Sequence, residues 1–134
     1  MGRTPRGIRN NNPGNIRHGE DWKGLVEDQP DDAFCTFVDP QHGIRAMGRV
    51  LLNYQRRHGI NTVEDIVNRW APPVENDTGA YVAHVAQRLG VNAEERIAVA
   101  EHLEDLVTAL IVHENGVNPY DVEVIMEGCQ MARV

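Results

Sequence analysis

The chain has 134 residues, 41% of them apolar and 25% charged, with 13 Lys or Arg against 20 Asp or Glu and a formal net charge of −7. That length and mixture predict a single soluble globular domain over residues 1–134, large enough to bury a core without metal or disulfide. The acidity argues against nucleic acid as a partner, no apolar run approaches the ~20 residues of a membrane span, and the N-terminal stretch MGRTPRGIRNNNPGNIR lacks the apolar centre of a secretory signal.

Residues 1–18 carry Arg3, Arg6, Arg9 and Arg17 and no acid; pairing with acidic groups elsewhere in the fold is the expectation for these. NNNPGNI, residues 10–16, consists of turn-forming types and reads as an ordered loop. Two strand-like pieces, Leu25–Glu27 and Phe34–Val38, flank Gln-Pro-Asp-Asp and predict a small β-hairpin. Asp39 followed by Pro40 is a helix start. Ile44, Met47, Val50, Leu51 and Tyr54 then fall on one helical face, and Gly59 is the stop. Thr62 opens a short helix with Val63, Ile66, Val67 and Trp70 on one side, ended by Ala71-Pro72-Pro73. Asp77 or Thr78 caps a helix through Leu89, stopped by Gly90. Asn92 with Glu95 reads as a capping box, starting a long helix to about His113 with the stripe Val99, Leu103, Leu106, Val107, Leu110 and Ile111. A last helix runs from Asn118-Pro119 to about Ala132. The fold class is mainly α, with a small β lobe and a cleft between the lobes suited to an extended polymer.

Cys35 and Cys129 stand without a CxxC or Cys/His cluster, so no zinc site, and no other metal or cofactor, is expected; two separate buried thiols is the simpler reading, a disulfide the other. The odd feature is LIVHENGVNPY, residues 110–120. Glu114 falls in the last turn of an apolar helix, where the helix dipole works against an ionised carboxylate and where stability alone would favour Lys or Arg.

Several motifs carry resemblances. RGIRNNNPGNIR at 6–17, with Trp22-Lys23-Gly24, Phe34, Phe37, Gly43-Ile44-Arg45-Ala46 and RWAPPVENDT at 69–78, resembles a widespread group of phage and prophage virion structural or lytic proteins. Their name is similar to that of the cell-wall-degrading virion protein of enveloped double-stranded-RNA phages. The order Asn11-Asn12-Pro13-Gly14-Asn15-Ile16-Arg17, Trp22-x-Gly24, Phe34–Phe37 and helix is similar to that of lysozyme-like glucosaminidases and flagellar muramidases. In those enzymes a helix bearing the general acid precedes the Asn-Asn loop, whereas here only nine residues precede Asn10. The segment Ala109–Pro119 instead resembles the catalytic helix of lytic transglycosylases, an apolar helix followed by Glu-Ser-x-Phe-x-Pro. Together the resemblances imply a circularly permuted lysozyme-like fold in which the helix ending at Glu114 abuts the NNNPGNIR loop, an arrangement favoured by the closeness of domain termini.

What they imply chemically is cleavage of peptidoglycan glycan strands in the bacterial cell wall, by a protein carried in the virion or made in the host, with other virion proteins as further partners. A departing glycosidic oxygen needs a proton from a carboxylic acid, and Glu114 is the candidate, with His113 beside it as a group able to adjust it. A second carboxylate would come from Glu20, Asp21, Glu27 or Asp28, Glu20 being also the rival for the first role, with Glu75 behind it. Without one, the sugar's own N-acetyl or C6 hydroxyl closes the ring. Asn12, Asn15 and Arg17 are candidates to line the cleft, Trp22 and Tyr54 to stack on sugar faces, and Tyr120, with Tyr81, is placed at either the core or the cleft wall. Two alternatives are a non-catalytic virion structural protein that keeps the fold, and an amidase or endopeptidase acting on the stem peptide, for which Cys35 and Cys129 lack a neighbouring His motif.

Overall fold

The computed structural model describes residues 4–72 and 77–134. Glu75 and Arg3 therefore lie outside the described residues. Among those described there are six α-helices: α1 (Arg6–Arg9), α2 (Pro40–His58), α3 (Val63–Trp70), α4 (Thr78–Leu89), α5 (Leu103–Asn115) and α6 (Val122–Arg133), with a 3-10 turn at Val99–His102 leading into α5. The protein is mainly α. No helix among the described residues is long and apolar enough to cross a membrane.

Local signals set most helix boundaries. Asp39 accepts from the His42 amide to cap α2, Thr62 from the Asp65 amide to cap α3, and Asp77 from the Ala80 amide to cap α4. Gly59, Gly90 and Gly116 end α2, α4 and α5 in the left-handed conformation, which costs glycine nothing. The core is built where the apolar stripes meet: Ile44, Met47 and Leu51 of α2 with Val63, Ile66 and Val67 of α3 and Leu103, Leu106, Leu110 and Ile111 of α5, all fully buried. Truncating one such Leu to Ala typically costs ~2–5 kcal/mol. The axes of α2 and α6 approach closely because glycines stand at the crossing. A Cβ on Gly48 would come within 2.6 Å of Ala132 Cβ, and one on Gly128 within 2.5 Å of Ile44 Cγ2.

Three expectations are corrected. The long helix does not begin at Asn92. Asn92 and Glu95 close only a turn, the Glu95 carboxylate accepting from the Asn92 amide. The next residues are held off helical geometry by tertiary bonds, from the Ile97 amide to Asn61 O and from the Val99 amide to Gln55 Oε1, so α5 starts at Leu103. The last helix starts at Val122, because the Asn118 side chain accepts from the Tyr120 amide and holds a turn there. The hairpin is reduced to single antiparallel bridges, Leu25 with Phe37 and Arg17 with Phe34. Between its two halves the Gln29 side chain takes the part of a strand. It donates to Val26 O and Thr36 O and accepts from the Thr36 amide. Residues 34–38 share their other edge with residues 16–18, through Cys35 N to Ile16 O and His18 N to Ala33 O. Cys35 and Phe37 alternate inward onto Ala46 in a second, smaller apolar cluster, which leaves Phe34 facing out. The two cysteines are separate buried thiols.

The asparagine-rich loop is the joint between these parts. Asn11 and Asn15 adopt left-handed φ of 53° and 51°, which asparagine tolerates better than other non-glycine residues. The loop's backbone rests directly on α2 at Gly43, where any Cβ would overlap the Asn11 carbonyl oxygen. Asn11 donates to Phe37 O, while Asn12 donates to Ile16 O and Cys35 O and accepts from the Ile16 amide. Asp31 clamps the loop's approach. Its carboxylate accepts two bonds from Arg6 at 2.7 and 2.6 Å, one from Asn10 at 3.0 Å, and the amides of Ala33 and Phe34. Arg6 thus pairs with acid as its charge pattern predicts.

Two stability measurements follow. Gly43→Ala forces the loop off α2 and is expected to cost about 3 kcal/mol or more, at the upper end of overpacking penalties, read as a lowered urea midpoint. The Arg6 guanidinium first, and then Asn10 and two amides, hold the Asp31 carboxyl far below the usual range. A carboxyl depressed in the folded state stabilises above its unfolded value of about 3.9 and loses that contribution as pH falls through the folded value. Asp31→Asn is therefore expected to melt below the wild type from pH 5 to 8, with the gap closing as pH falls under 4.

Candidate active site

A cleft of about 330 Å³ opens where the asparagine loop, residue 34, α2, the end of α3 and the end of α5 converge. Its walls include Asn15, Arg17, Phe34, Trp70, Pro72 and Glu114. Each arrives by a local device described above: Asn15 through its left-handed turn, Phe34 through the outward register of its segment, Trp70 through the end of α3 ahead of Ala71-Pro72. Glu114 lies in the last turn of α5, which Gly116 closes with its amide on Val112 O at 2.7 Å.

The half-buried Glu114 side chain is held from two sides. Asn15 Nδ2 donates to Oε1 at 3.3 Å, and the Tyr81 hydroxyl donates to Oε2 at 3.4 Å. Next to it, Asn115 Nδ2 donates to Pro13 O at 2.8 Å and to Ile111 O at 3.0 Å. Residues about a hundred positions apart are thereby fastened together. Gly7 packs against the same junction: a Cβ there would fall 2.7 Å from Asn115 Oδ1 and 2.8 Å from Asn15 Oδ1. Those two buried amide oxygens have no N–H or O–H donor among the described residues and lie against the Gly7 Cα, a position that suits weak C–H···O contacts.

Tyr81, only 2% exposed, stacks flat on His113 with ring centroids 3.8 Å apart and planes 4° from parallel. Burial, and after it the charge of Glu114, raises the Tyr81 phenol far out of its ordinary range, so it remains a donor. Burial, then the charge of His84 with its ring 5.4 Å away, lowers the His113 imidazole, with Glu114 and Asp77 opposing. Arg17 lies over the Phe34 ring at 4.9 Å and has no acidic partner among the described residues. A guanidinium fixed by a ring face but unpaired is free to take an anionic or hydroxyl-rich ligand.

The other predicted residues are elsewhere. Asn12 is 0% exposed, with its amide spent on the backbone of the loop at Ile16 and of the neighbouring segment at Cys35, so it shapes the cleft from behind. Glu20 and Trp22 border a different depression beside the outer face of α2, and Trp22 packs half-buried on the Phe37 cluster. Tyr54 packs on the main core with Arg69 5.9 Å from its ring centroid, and burial pushes its phenol up to about 12. Tyr120 lines a third depression with Val122 and Met126; its buried hydroxyl has no hydrogen-bond partner among the described residues and burial raises it to about 12. Trp70, Phe34 and Asn115 are site residues that sequence reasoning does not assign. The available signal for Trp70 was an aromatic residue at a helix end ahead of Ala-Pro. The structure also brings His18 Nδ1 to 3.9 Å from Cys35 Sγ, but Cys35 is 1% exposed, burial raises its thiol, and its Sγ points to Arg17 O. Among the described residues no group of three or more His, Cys, Asp or Glu is placed to hold a metal ion.

No family model matches the chain. The chain belongs to a family of bacteriophage proteins, on the strength of its likeness to one of them. It is 41% identical over 127 residues to Protein P5 of Pseudoalteromonas phage PM2, covering 92% of this chain and 79% of that protein.

The joint that carries Glu114 can be tested without reference to any activity. Asn115→Ala removes both amide bonds and is expected to cost about 1–2 kcal/mol, with amide hydrogen exchange accelerated at residues 12–16 more than in α2; equal acceleration everywhere would mean that Asn115 does not tie the loop.

Proposed function

We propose that this phage protein cuts the glycan strands of bacterial peptidoglycan, with Glu114 as the proton donor to the departing oxygen. The observation that supports this reading is the position of Glu114 itself. It stands at a helix end on the wall of a cleft, oriented by Asn15 and Tyr81 and beside the asparagine loop. That is the relation a permuted lysozyme-like domain requires. Arg17, Phe34 and Trp70 give the cleft the mixture of ring faces and hydrogen-bond donors that suits a saccharide.

Among the described residues lining the cleft, Glu114 is the sole carboxylate, and Glu20 borders another depression. The one-carboxylate route is therefore favoured over a nucleophile pair. Glu114 gives its proton to the bridging oxygen as the C1–O bond breaks. The sugar's own C6 hydroxyl then bonds to C1 and loses its proton to Glu114, which restores the acid and leaves an anhydro end. Asn15 and Tyr81 keep the carboxyl aimed through both transfers. A cysteine peptidase reading has little support, since the Cys35 thiol is sealed behind the cleft wall.

A second reading, a virion protein without catalysis, draws on the exposed Val122 and Met126, one turn apart on α6, an apolar patch suited to contact with another protein. The two separate on purified peptidoglycan. The wild type is expected to release anhydro-ended muropeptides, seen by mass spectrometry. Glu114→Gln is expected to lower the rate by ~10²–10⁴, the usual contribution of a general acid, while Glu27→Gln, an exposed carboxylate away from the cleft lining, stays near wild type. Intact peptidoglycan after prolonged incubation with the folded wild type would leave the non-catalytic reading.

A further inference from the structure

Away from the cleft, a groove of about 390 Å³ runs between the segment at residues 20–23 and the outer face of α2. Its walls carry Lys23, Arg45, Arg49 and Arg57 together with Glu20 and Asp21. The arginines lie on one side of α2 because 45, 49 and 57 are spaced by multiples of four, about 6 Å of rise each, so the cations extend over about 18 Å. In a chain of net charge −7, four cations facing one groove are a local reversal of sign. These charges are not consumed by one another. Among the described residues Lys23, Arg45, Arg57, Glu20 and Asp21 make no ion pair, and Arg49 spends one N–H on Ala132 O at 3.2 Å.

Both signs are thus presented, unpaired, to the same space. A nucleic-acid strand would gain from the cations but meet Glu20 and Asp21 with like charge. A planar anionic membrane does not enter a concave groove. A ligand with more carboxylates than amines, but with both, complements the whole lining. We propose that this groove binds a short zwitterionic peptide of net negative charge, the stem peptide that branches from peptidoglycan, with its carboxylates on Arg45, Arg49 and Arg57 and its free amine on Glu20 or Asp21. The identity of the peptide rests on the peptidoglycan reading above. The groove would then hold a stem peptide whose amine is not yet cross-linked while the glycan strand occupies the cleft.

The probe is N-acetyl-L-alanyl-γ-D-glutamyl-L-lysine, which carries two carboxylates and one amine, titrated into the full-length isotope-labelled protein and followed by amide chemical shifts. Saturable shifts are expected at residues 20–23 and 45–57 and not around Glu114. Acetylating the lysine amine should weaken binding at least tenfold, and Arg57→Ala, at an exposed position, should weaken it severalfold with an unchanged helical circular-dichroism spectrum. No shifts at millimolar peptide, shifts confined to the Glu114 cleft, equal binding of the acetylated peptide, or tighter binding of an oligothymidylate would each overturn the proposal. The two readings fail separately: peptide binding without glycan cleavage removes the role of Glu114 and leaves the groove, whereas cleavage without peptide binding removes the groove alone.

Discussion

Everything at the cleft depends on a backbone loop lying directly against a helix. Gly43 has no side chain to keep the Asn11 carbonyl away from α2, so the loop seats at a depth no other residue would permit. From that depth its asparagines reach opposite ways. Asn12 turns in and satisfies the backbone of two neighbouring segments, while Asn15 turns out to the end of α5. A loop buried this far would leave polar backbone groups without water. Side-chain amides, which both donate and accept, replace the lost solvent.

The helices were largely legible in the sequence because their ends are written in adjacent residues. Asp39-Pro40, Thr62, Asp77, Gly59 and Gly90 act within one turn, and no distant partner can easily overrule them. The failures share the opposite property. Residues 92–95 have a capping box that closes a turn, yet bonds from the Ile97 amide to Asn61 O and from the Val99 amide to Gln55 Oε1 hold the next residues off helical geometry, and no pattern within the segment announces those partners. The expected hairpin dissolves into bridges because one glutamine side chain occupies the space of a strand. The Asp31 clamp on Arg6 and Asn10 was likewise invisible, since it joins positions more than twenty residues apart.

The site divides along the same line. Glu114, Asn15 and Arg17 share one cleft, and motif spacing had pointed to all three. Asn12, Trp22, Tyr54 and Tyr120 have side-chain types found equally in cores and in clefts, and only packing decides which. Glu20 has the chemistry of a second carboxylate, but the fold sets it beside the arginines of α2. The same helix serves two surfaces: Val50 faces the cleft, and the arginine row faces the groove.

The bonds from Asn115 to Pro13 and from Asn15 to Glu114 close a loop of about a hundred residues. Closures of that span are slow, because much chain entropy is lost before any contact compensates. During synthesis the N-terminal arm emerges first, and Asn15 and Pro13 wait for their partners until residue 115 has left the ribosome. The cleft is thus among the last features to assemble. A chain that stops short of residue 115 lacks the Glu114 wall of the cleft and the tie that holds Asn15 against it.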